Sequence, residues 1–214
     1  MRILLFSGKG SVHRPAVFLD RDGVINCRIR GGYVLEWSQF TFTPGIREAI
    51  KALSTLQLPI VVISNQSAVG RGLLEAAVLD EITVKMYETL LSDGIDLTAV
   101  YYCIHKPADG CICRKPKAEL LLRAAAEFNI DLKRSIFIGD SDTDVQAARR
   151  AGCQPLLLGL EGCFSSASAG ELSGVPNART AKELFPVAVE LLRTPREIFP
   201  AGRGFGLHRG WAHE

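Results

Sequence analysis

Four soft metal ligands fall within one short stretch: Cys103, His105, Cys111 and Cys113, in Cys-Ile-His-Lys-Pro-Ala-Asp-Gly-Cys-Ile-Cys, followed directly by Arg114-Lys115-Pro116. Three thiolates and one imidazole complete a tetrahedral zinc shell, and Pro107-Ala108-Asp109-Gly110 supplies the chain reversal that brings the two ligand pairs together. With no coordination position left open, the ion is expected to be structural. Such an ion contributes on the order of 10–16 kcal/mol, against a domain stability of roughly 5–15 kcal/mol. The alternative is a set of buried or disulfide-linked cysteines, but paired C-x-H and C-x-C patterns this close together favour the metal. A zinc loop is therefore expected beside a cationic site formed by Arg114 and Lys115.

A second chemistry is carried by acids. Phe18-Leu19-Asp20-Arg21-Asp22-Gly23 closes an apolar run with two carboxylates separated by one residue, a spacing that suits a nucleophile and an acid/base partner. Alone, this pattern reads equally well as a solvated turn. Further along, Ser64-Asn65-Gln66-Ser67 offers polar groups able to hold a phosphate oxygen, with Arg71 a few residues on. Ile138-Gly139-Asp140-Ser141-Asp142-Thr143-Asp144 again places carboxylates after an apolar run. An acid there can also be a helix N-terminal charge favoured by the macrodipole, which fits Asp142 better than Asp140.

These groups need a frame that brings them together. Short apolar runs alternate with helical patterns along the chain, which predicts an α/β fold with a doubly wound parallel sheet. Strands are expected at 16–19, 60–64, 99–103, 136–139 and 155–158, so each chemical segment lies at the carboxyl end of a strand, where open α/β sheets bind ligands. Thr43-Pro44 reads as N-cap and first-turn proline of a helix lined by Ile46, Ala49, Ile50, Leu53 and Leu56. Leu74, Val78, Ile82, Met86 and Leu90 stripe a second helix. Leu120, Leu121, Ala124, Ala125 and Phe128 stripe a third, and Val145, Ala147, Ala148 and Ala151 a fourth. Thr180 to Glu183 forms a capping box before Leu184, Val187, Leu191 and Leu192. The expected organisation is a leader at 1–14, one phosphate-handling domain at 15–194 and a mobile tail at 195–214, with a Ser/Ala/Gly-rich loop at 162–174.

Composition narrows the class. The 214 residues suit one domain, 47% hydrophobic and 22% charged, with a net charge of +2. The pI of about 8.2 is below the range of a dedicated nucleic-acid binder. Only Cys27, Cys153 and Cys163 lie outside the zinc cluster, and a thiolate-rich zinc site persists in a reducing compartment, so the expectation is a cytoplasmic protein. The apolar start Ile3-Leu4-Leu5-Phe6 is too short for a signal segment, and no run reaches transmembrane length. No membrane and no nucleic-acid partner is expected, and the chain is expected to be monomeric. Ser7-Gly8-Lys9-Gly10-Ser11 lacks the spacing of a P-loop, and His13, His208 and His213 have no companion ligands.

Taken together, Asp20-Arg21-Asp22-Gly23, Ser64-Asn65-Gln66, Lys115-Pro116 and Gly139-Asp140 with Asp144 resemble the four motifs of the haloacid dehalogenase (HAD) superfamily of phosphatases. The Cys-x-His and Cys-x-Cys-Arg-Lys-Pro elements resemble the branch containing heptose-bisphosphate and histidinol-phosphate phosphatases. The resemblance spans about Val17 to Leu192. It implies that Asp20 attacks phosphorus to form an aspartyl-phosphate and that Asp22 protonates the leaving alcohol and then activates water. It also implies that Asp20, the carbonyl of Asp22 and Asp140 hold Mg²⁺, and that Ser64, Asn65, Gln66 and Lys115 face the phosphoryl group. Asp144 would orient the metal shell or Lys115. The physical logic agrees, since a carboxylate cannot approach a phosphate dianion unless a cation and nearby donors offset the repulsion.

A chain of 214 residues is expected to leave no room for a separate cap domain, so the zinc loop and residues 26–43 are expected to form the rim of the site. Arg30-Gly31-Gly32-Tyr33-Val34 resembles the His-Gly-Tyr-Val loop of the heptose enzymes, and Arg114 would read the remote phosphate of a sugar bisphosphate. Lys117-Ala118-Glu119 stands where those enzymes usually have x-Pro-Gly and is closer to the histidinol type. Ser141 stands where several relatives carry Lys or Arg. The leading expectation is removal of the 7-phosphate of D-glycero-D-manno-heptose 1,7-bisphosphate. The alternatives are a histidinol-phosphate phosphatase, a DNA 3′-phosphatase and a non-catalytic zinc-stabilised binding module.

Overall fold

The computed structural model describes residues 1–6, 13–159, 174–178 and 180–193. Seven strands form one sheet: β1 (Arg2–Leu5), β2 (Val17–Leu19), β3 (Ile60–Asn65), β4 (Ala99–Cys103), β5 (Ile136–Gly139), β6 (Gln154–Leu158) and β7 (Asn177–Ala178). Their spatial order is β1-β4-β3-β2-β5-β6-β7, and every pairing is parallel except that of β1 with β4. The helices are α1 (Ile46–Ser54), α2 (Ser67–Gly70), α3 (Ala76–Ser92), α4 (Glu119–Phe128), α5 (Asp142–Ala151) and α6 (Ala181–Arg193).

Strand side chains alternate between two apolar layers, as the two-residue period of a pleated strand requires. Val17, Leu19, Ile60, Val62 and Ile138 face α1, α3 and α6, whereas Phe18, Val61, Ile63 and Phe137 face α4 and α5. This two-sided burial explains why the strands read as continuous apolar runs rather than alternating ones. The chain moves outward from β2 through β3 and β4 on one side, then crosses back to β5 and β6 on the other. That reversal opens a crevice at the carboxyl ends of β2, β3 and β5.

Three sequence expectations need correction. Residues 2–5, assigned to a leader, form an antiparallel edge strand, with Arg2 opposite Tyr102 and Leu5 opposite Ala99. Arg2 also pairs with Asp80 of α3, and Phe6 stacks on Tyr87 at 3.8 Å. Four residues suffice because β4 already offers a free edge. The helix expected from Thr43-Pro44 begins at Ile46 behind Gly45, whose φ of +74° is left-handed; Thr43 contributes only its carbonyl, which accepts from the Ile46 N–H. In α3 the buried stripe contains Leu79 rather than Val78, and Leu74 precedes the helix. The strand β7 is too short to leave a periodic signal. Thr180 Oγ1 accepts from the Glu183 N–H at 3.3 Å, as a capping residue should. The P-loop-like segment, nearly all of the 162–174 loop, His208, His213 and the 195–214 tail lie outside the described residues. Among those described, no helix is long and apolar enough to cross a membrane.

Candidate active site

Asp20 leaves the central strand with its N–H bonded to the carbonyl of Ile138 on β5 at 2.9 Å, so β2 and β5 set it jointly. Its Oδ1 accepts from the Arg21 N–H at 2.7 Å and lies 2.9 Å from Lys115 Nζ. Lys115 is buried. Its ammonium also lies 2.6 Å from Asp144 Oδ1 and donates to the Ile63 carbonyl at 3.0 Å. Asn65 fixes the backbone of Lys115 from both sides: its amide donates to the Lys115 carbonyl and its Oδ1 accepts from the Lys115 N–H, each at 3.1 Å. Asp144 Oδ2 receives the N–H groups of Asp140 and Ser141 and the Ser141 hydroxyl at the N-terminus of α5.

Asp22 is built differently. Arg21, fully buried, donates Nη2 to both carboxylate oxygens at 2.9 and 3.0 Å; Asn26 adds a bond at 3.0 Å and Gln66 one at 2.7 Å. Burial pushes the Asp22 carboxyl up, but the Arg21 charge and these donors outweigh it and hold the group below the ordinary carboxylate value. Asp20 goes the other way: burial raises it, and Lys115 only partly offsets the rise. Asp140 is pushed up to about 7, first by burial and then by the charge of Asp20, against the lowering effect of Arg28.

Two glycines make this crowding feasible. Gly23 has φ +97°, and a Cβ there would stand 1.9 Å from Asp140 Oδ2; at Gly139 a Cβ would stand 2.2 Å from the Asp144 Cβ. Both sites need the bare backbone that only glycine supplies.

Oxygens of Asp20, Asp140 and Asp144 lie within 4.8 Å of one another. Asp144 spends its carboxylate on Lys115 and on backbone donors, which leaves Asp20 and Asp140 better suited as ligands. A raised Asp140 beside a second buried carboxylate marks a site short of positive charge. Magnesium, which takes oxygen ligands and few of them from protein, fits that donor set. Arg28, which sequence reasoning missed, donates Nη2 to Asp140 Oδ1 at 2.6 Å and to the Asp22 carbonyl at 3.2 Å. No local pattern could have found a contact between residues 28 and 140.

A cavity of about 690 Å³ opens over this cluster, lined among others by Asp20, Asp22, Ser64, Asn65, Lys115 and Arg114. Gln66 does not line it, since its amide is turned onto Asp22 and Ser64. Arg71 is exposed and also lies outside the lining. Gly31, Gly32, Tyr33 and Val34 form the facing wall. Their loop is held by the stacked rings of Trp37 and Phe40 and the edge contact of Phe40 with Phe42. No separate cap domain stands over the cavity among the described residues.

The Cys/His cluster directly precedes the cavity-lining residues Arg114, Lys115 and Pro116. Cys103 Sγ lies 3.6 Å from Cys111 Sγ and 3.7 Å from His105 Nδ1; Cys113 Sγ lies 3.7 Å from Cys111 Sγ and 3.3 Å from His105 Nδ1. A zinc–sulfur bond of about 2.3 Å implies tetrahedral edges of roughly 3.8 Å, slightly less where nitrogen replaces sulfur. The four ligands are thus spaced for one zinc ion. Gly70 of α2 packs under this loop, where a Cβ would stand 2.6 Å from the Ile104 carbonyl. Arg114 Nη1 donates to the His105 carbonyl at 3.4 Å, tying its guanidinium to the loop while it faces the cavity.

A doubly wound sheet with acids at its central strand ends and a lysine between them defines a class of hydrolase. Residues 14–152 match the family model described as haloacid dehalogenase-like hydrolase, and the chain belongs to that family as a phosphatase. It is 42% identical over 144 residues to the D-glycero-beta-D-manno-heptose-1,7-bisphosphate 7-phosphatase of Helicobacter pylori strain J99, covering 67% of this chain and 82% of that one. To the enzyme of the same name from Bordetella bronchiseptica it is 35% identical, over 83% of this chain and 97% of the relative. The crystal structure of the heptose 1,7-bisphosphate phosphatase from B. bronchiseptica, complexed with magnesium and phosphate, superimposes with a TM-score of 0.73 at 35% identity, covering 84% and 98% of the two chains. The corresponding structure from Burkholderia thailandensis gives 0.56 at 27% identity, covering 84% and 99%.

Proposed function

We propose that this phosphatase removes the 7-phosphate of D-glycero-D-manno-heptose 1,7-bisphosphate through an aspartyl-phosphate on Asp20. The observation that carries the reading is the meeting in one cavity of the Asp20/Asp22 pair with a second, separately anchored cation, Arg114. The relatives' names support the sugar bisphosphate.

Asp20 is the nucleophile: its carboxylate oxygen bonds to phosphorus as the bond from phosphorus to the C7 oxygen breaks. Asp22 gives its proton to the departing alkoxide, then takes one from the water that attacks phosphorus and frees Asp20. In the ligand-free site Asp22 is held ionised by Arg21, ready for the second half. A phosphate dianion against it raises its proton affinity for the first. Ser64 and Lys115 donate to the phosphoryl oxygens. Asn65 holds Lys115 in place, and Gln66 orients Asp22 rather than touching the substrate. Asp20, the Asp22 carbonyl and Asp140 would hold magnesium, which would supply the charge that lets two anions approach. The thiolate-rich zinc loop supports action in a reducing compartment, the cytoplasm.

The discriminating experiment is a panel of heptose 1,7-bisphosphate, the heptose monophosphate, histidinol phosphate and a 3′-phosphorylated oligonucleotide, each assayed with MgCl₂. The bisphosphate is expected to give the highest kcat/KM. A preference for histidinol phosphate, to which Lys117-Ala118-Glu119 points, or for the oligonucleotide would replace this reading.

A further inference from the structure

Arg28 takes no part in the chemistry above, yet its guanidinium reaches into the middle of the acid cluster. A single nitrogen, Nη2, bridges Asp140 Oδ1 at 2.6 Å and the Asp22 carbonyl at 3.2 Å. Asp140 and the Asp22 carbonyl are two of the three groups that would hold magnesium. A cation held by both groups would compete with this guanidinium for them.

The guanidinium is also incompletely held. Its Nε is buried with no hydrogen-bond partner among the described residues, although a buried donor without an acceptor is costly. The side chain keeps 32% of its surface exposed and lines the cavity, so a path outward is open. A permanent structural ion pair would be expected to satisfy the whole fork.

We propose that Arg28 is a built-in stand-in for the metal, bridging Asp140 and the Asp22 carbonyl in the metal-free enzyme and displaced into the cavity when magnesium binds. The inference rests on the metal site of the proposed function and is independent of the sugar. Displacement sets a competitor against magnesium and delivers a planar, permanently charged donor to the cavity that receives the phosphate. A phosphate that captures the released fork lowers the cost of displacement, so magnesium and phosphate each tighten the binding of the other by the same factor through this residue.

The test is calorimetric titration of MgCl₂ into magnesium-free protein with its zinc retained and no substrate present, for wild type, Arg28→Gln and Arg28→Ala. Both variants are expected to bind magnesium about tenfold or more tightly, the scale of one charge-assisted contact removed from the competition. Arg30→Gln removes an equal charge from the same loop and is expected to leave the affinity unchanged. In wild-type protein labelled with ¹⁵N-arginine, the Arg28 side-chain resonance, assigned by its loss in Arg28→Gln, should shift in step with magnesium. Equal or weaker binding by the Arg28 variants, an Arg30→Gln effect of the same size, or an unmoved Arg28 resonance overturns the inference and leaves the metal site standing. No magnesium binding by any of the proteins overturns the metal site as well.

Discussion

Asp20 and Asp22 are separated by one residue in sequence and differ oppositely in proton affinity because their neighbours differ: Asp20 shares Lys115 with Asp144, whereas Asp22 pairs with the buried Arg21 and accepts from Asn26 and Gln66. Asp20→Asn removes the nucleophile while keeping its volume and an acceptor oxygen for Lys115. It is expected to abolish turnover, with far-UV circular dichroism and Tm close to wild type; substantial phosphate release by rigorously purified variant would contradict that role. Asp140 supplies a pH dependence. Its carboxyl is raised to about 7 in the metal-free protein, so below that pH a proton must leave before the metal can bind. Magnesium affinity should therefore level off above pH 7 and fall by about tenfold per unit beneath it, which titrations from pH 5.5 to 8.5 would read. Stability carries the opposite sign: the folded, metal-free state binds this proton more tightly than the unfolded chain, so the contribution is fully present below the ordinary carboxylate value and is lost as pH rises through 7. At this scale the acids, Lys115 and the zinc ligands were legible because each sits in a short motif. Arg28 was not, and neither was the bond from Gln66 to Asp22, because both contacts span the fold.

The strands and helices convert motif order into proximity. β2 is central, so one residue past its end stands between the ends of β3 and β5, which bring Ser64 and Asp140 up beside Asp20. The five central strands could be read from their apolar runs. The edge strand β1 could not, because its pairing with β4 is antiparallel and spans about half the chain. The start of α1 was misplaced by the Thr43-Pro44 signal, since Gly45 adopts the left-handed turn that sets the helix direction. Gly23 tests how closely two elements must approach. Gly23→Ala places a methyl group against Asp140 at a backbone angle that costs about 1–3 kcal/mol in a residue other than glycine. Turnover should fall by roughly 100-fold or more, as expected for a displacement near 1 Å at the reacting groups. The zinc loop is a separable element. Cys111→Ser should lower the zinc content measured by atomic emission and weaken substrate affinity more than it lowers Tm; protein purified without chelator that holds no zinc would refute the structural role.

At the scale of the molecule, a catalytic floor at the strand ends meets two walls, the loop of Gly31 to Val34 and the segment of Arg114 after the Cys/His cluster, with no separate cap among the described residues. On the proposed reading, the floor would handle any phosphate monoester and the walls would choose among them. Arg114 belongs to the wall, hung from the His105 carbonyl beside the zinc ligands. A charge-assisted contact of this kind is worth about 1.5–3 kcal/mol, so Arg114→Ala should lower kcat/KM for the bisphosphate by about one to two decades while sparing monophosphates. The cavity-lining Tyr33 was visible in the sequence as part of a loop likeness; the ring contacts of Trp37, Phe40 and Phe42 that hold that loop needed the fold. The most direct test of the account is ³¹P NMR of heptose 1,7-bisphosphate during turnover with MgCl₂. The account predicts loss of the C7 phosphate signal with the anomeric phosphate retained, and no reaction without the divalent ion. Release of the anomeric phosphate, or turnover independent of magnesium, would contradict it.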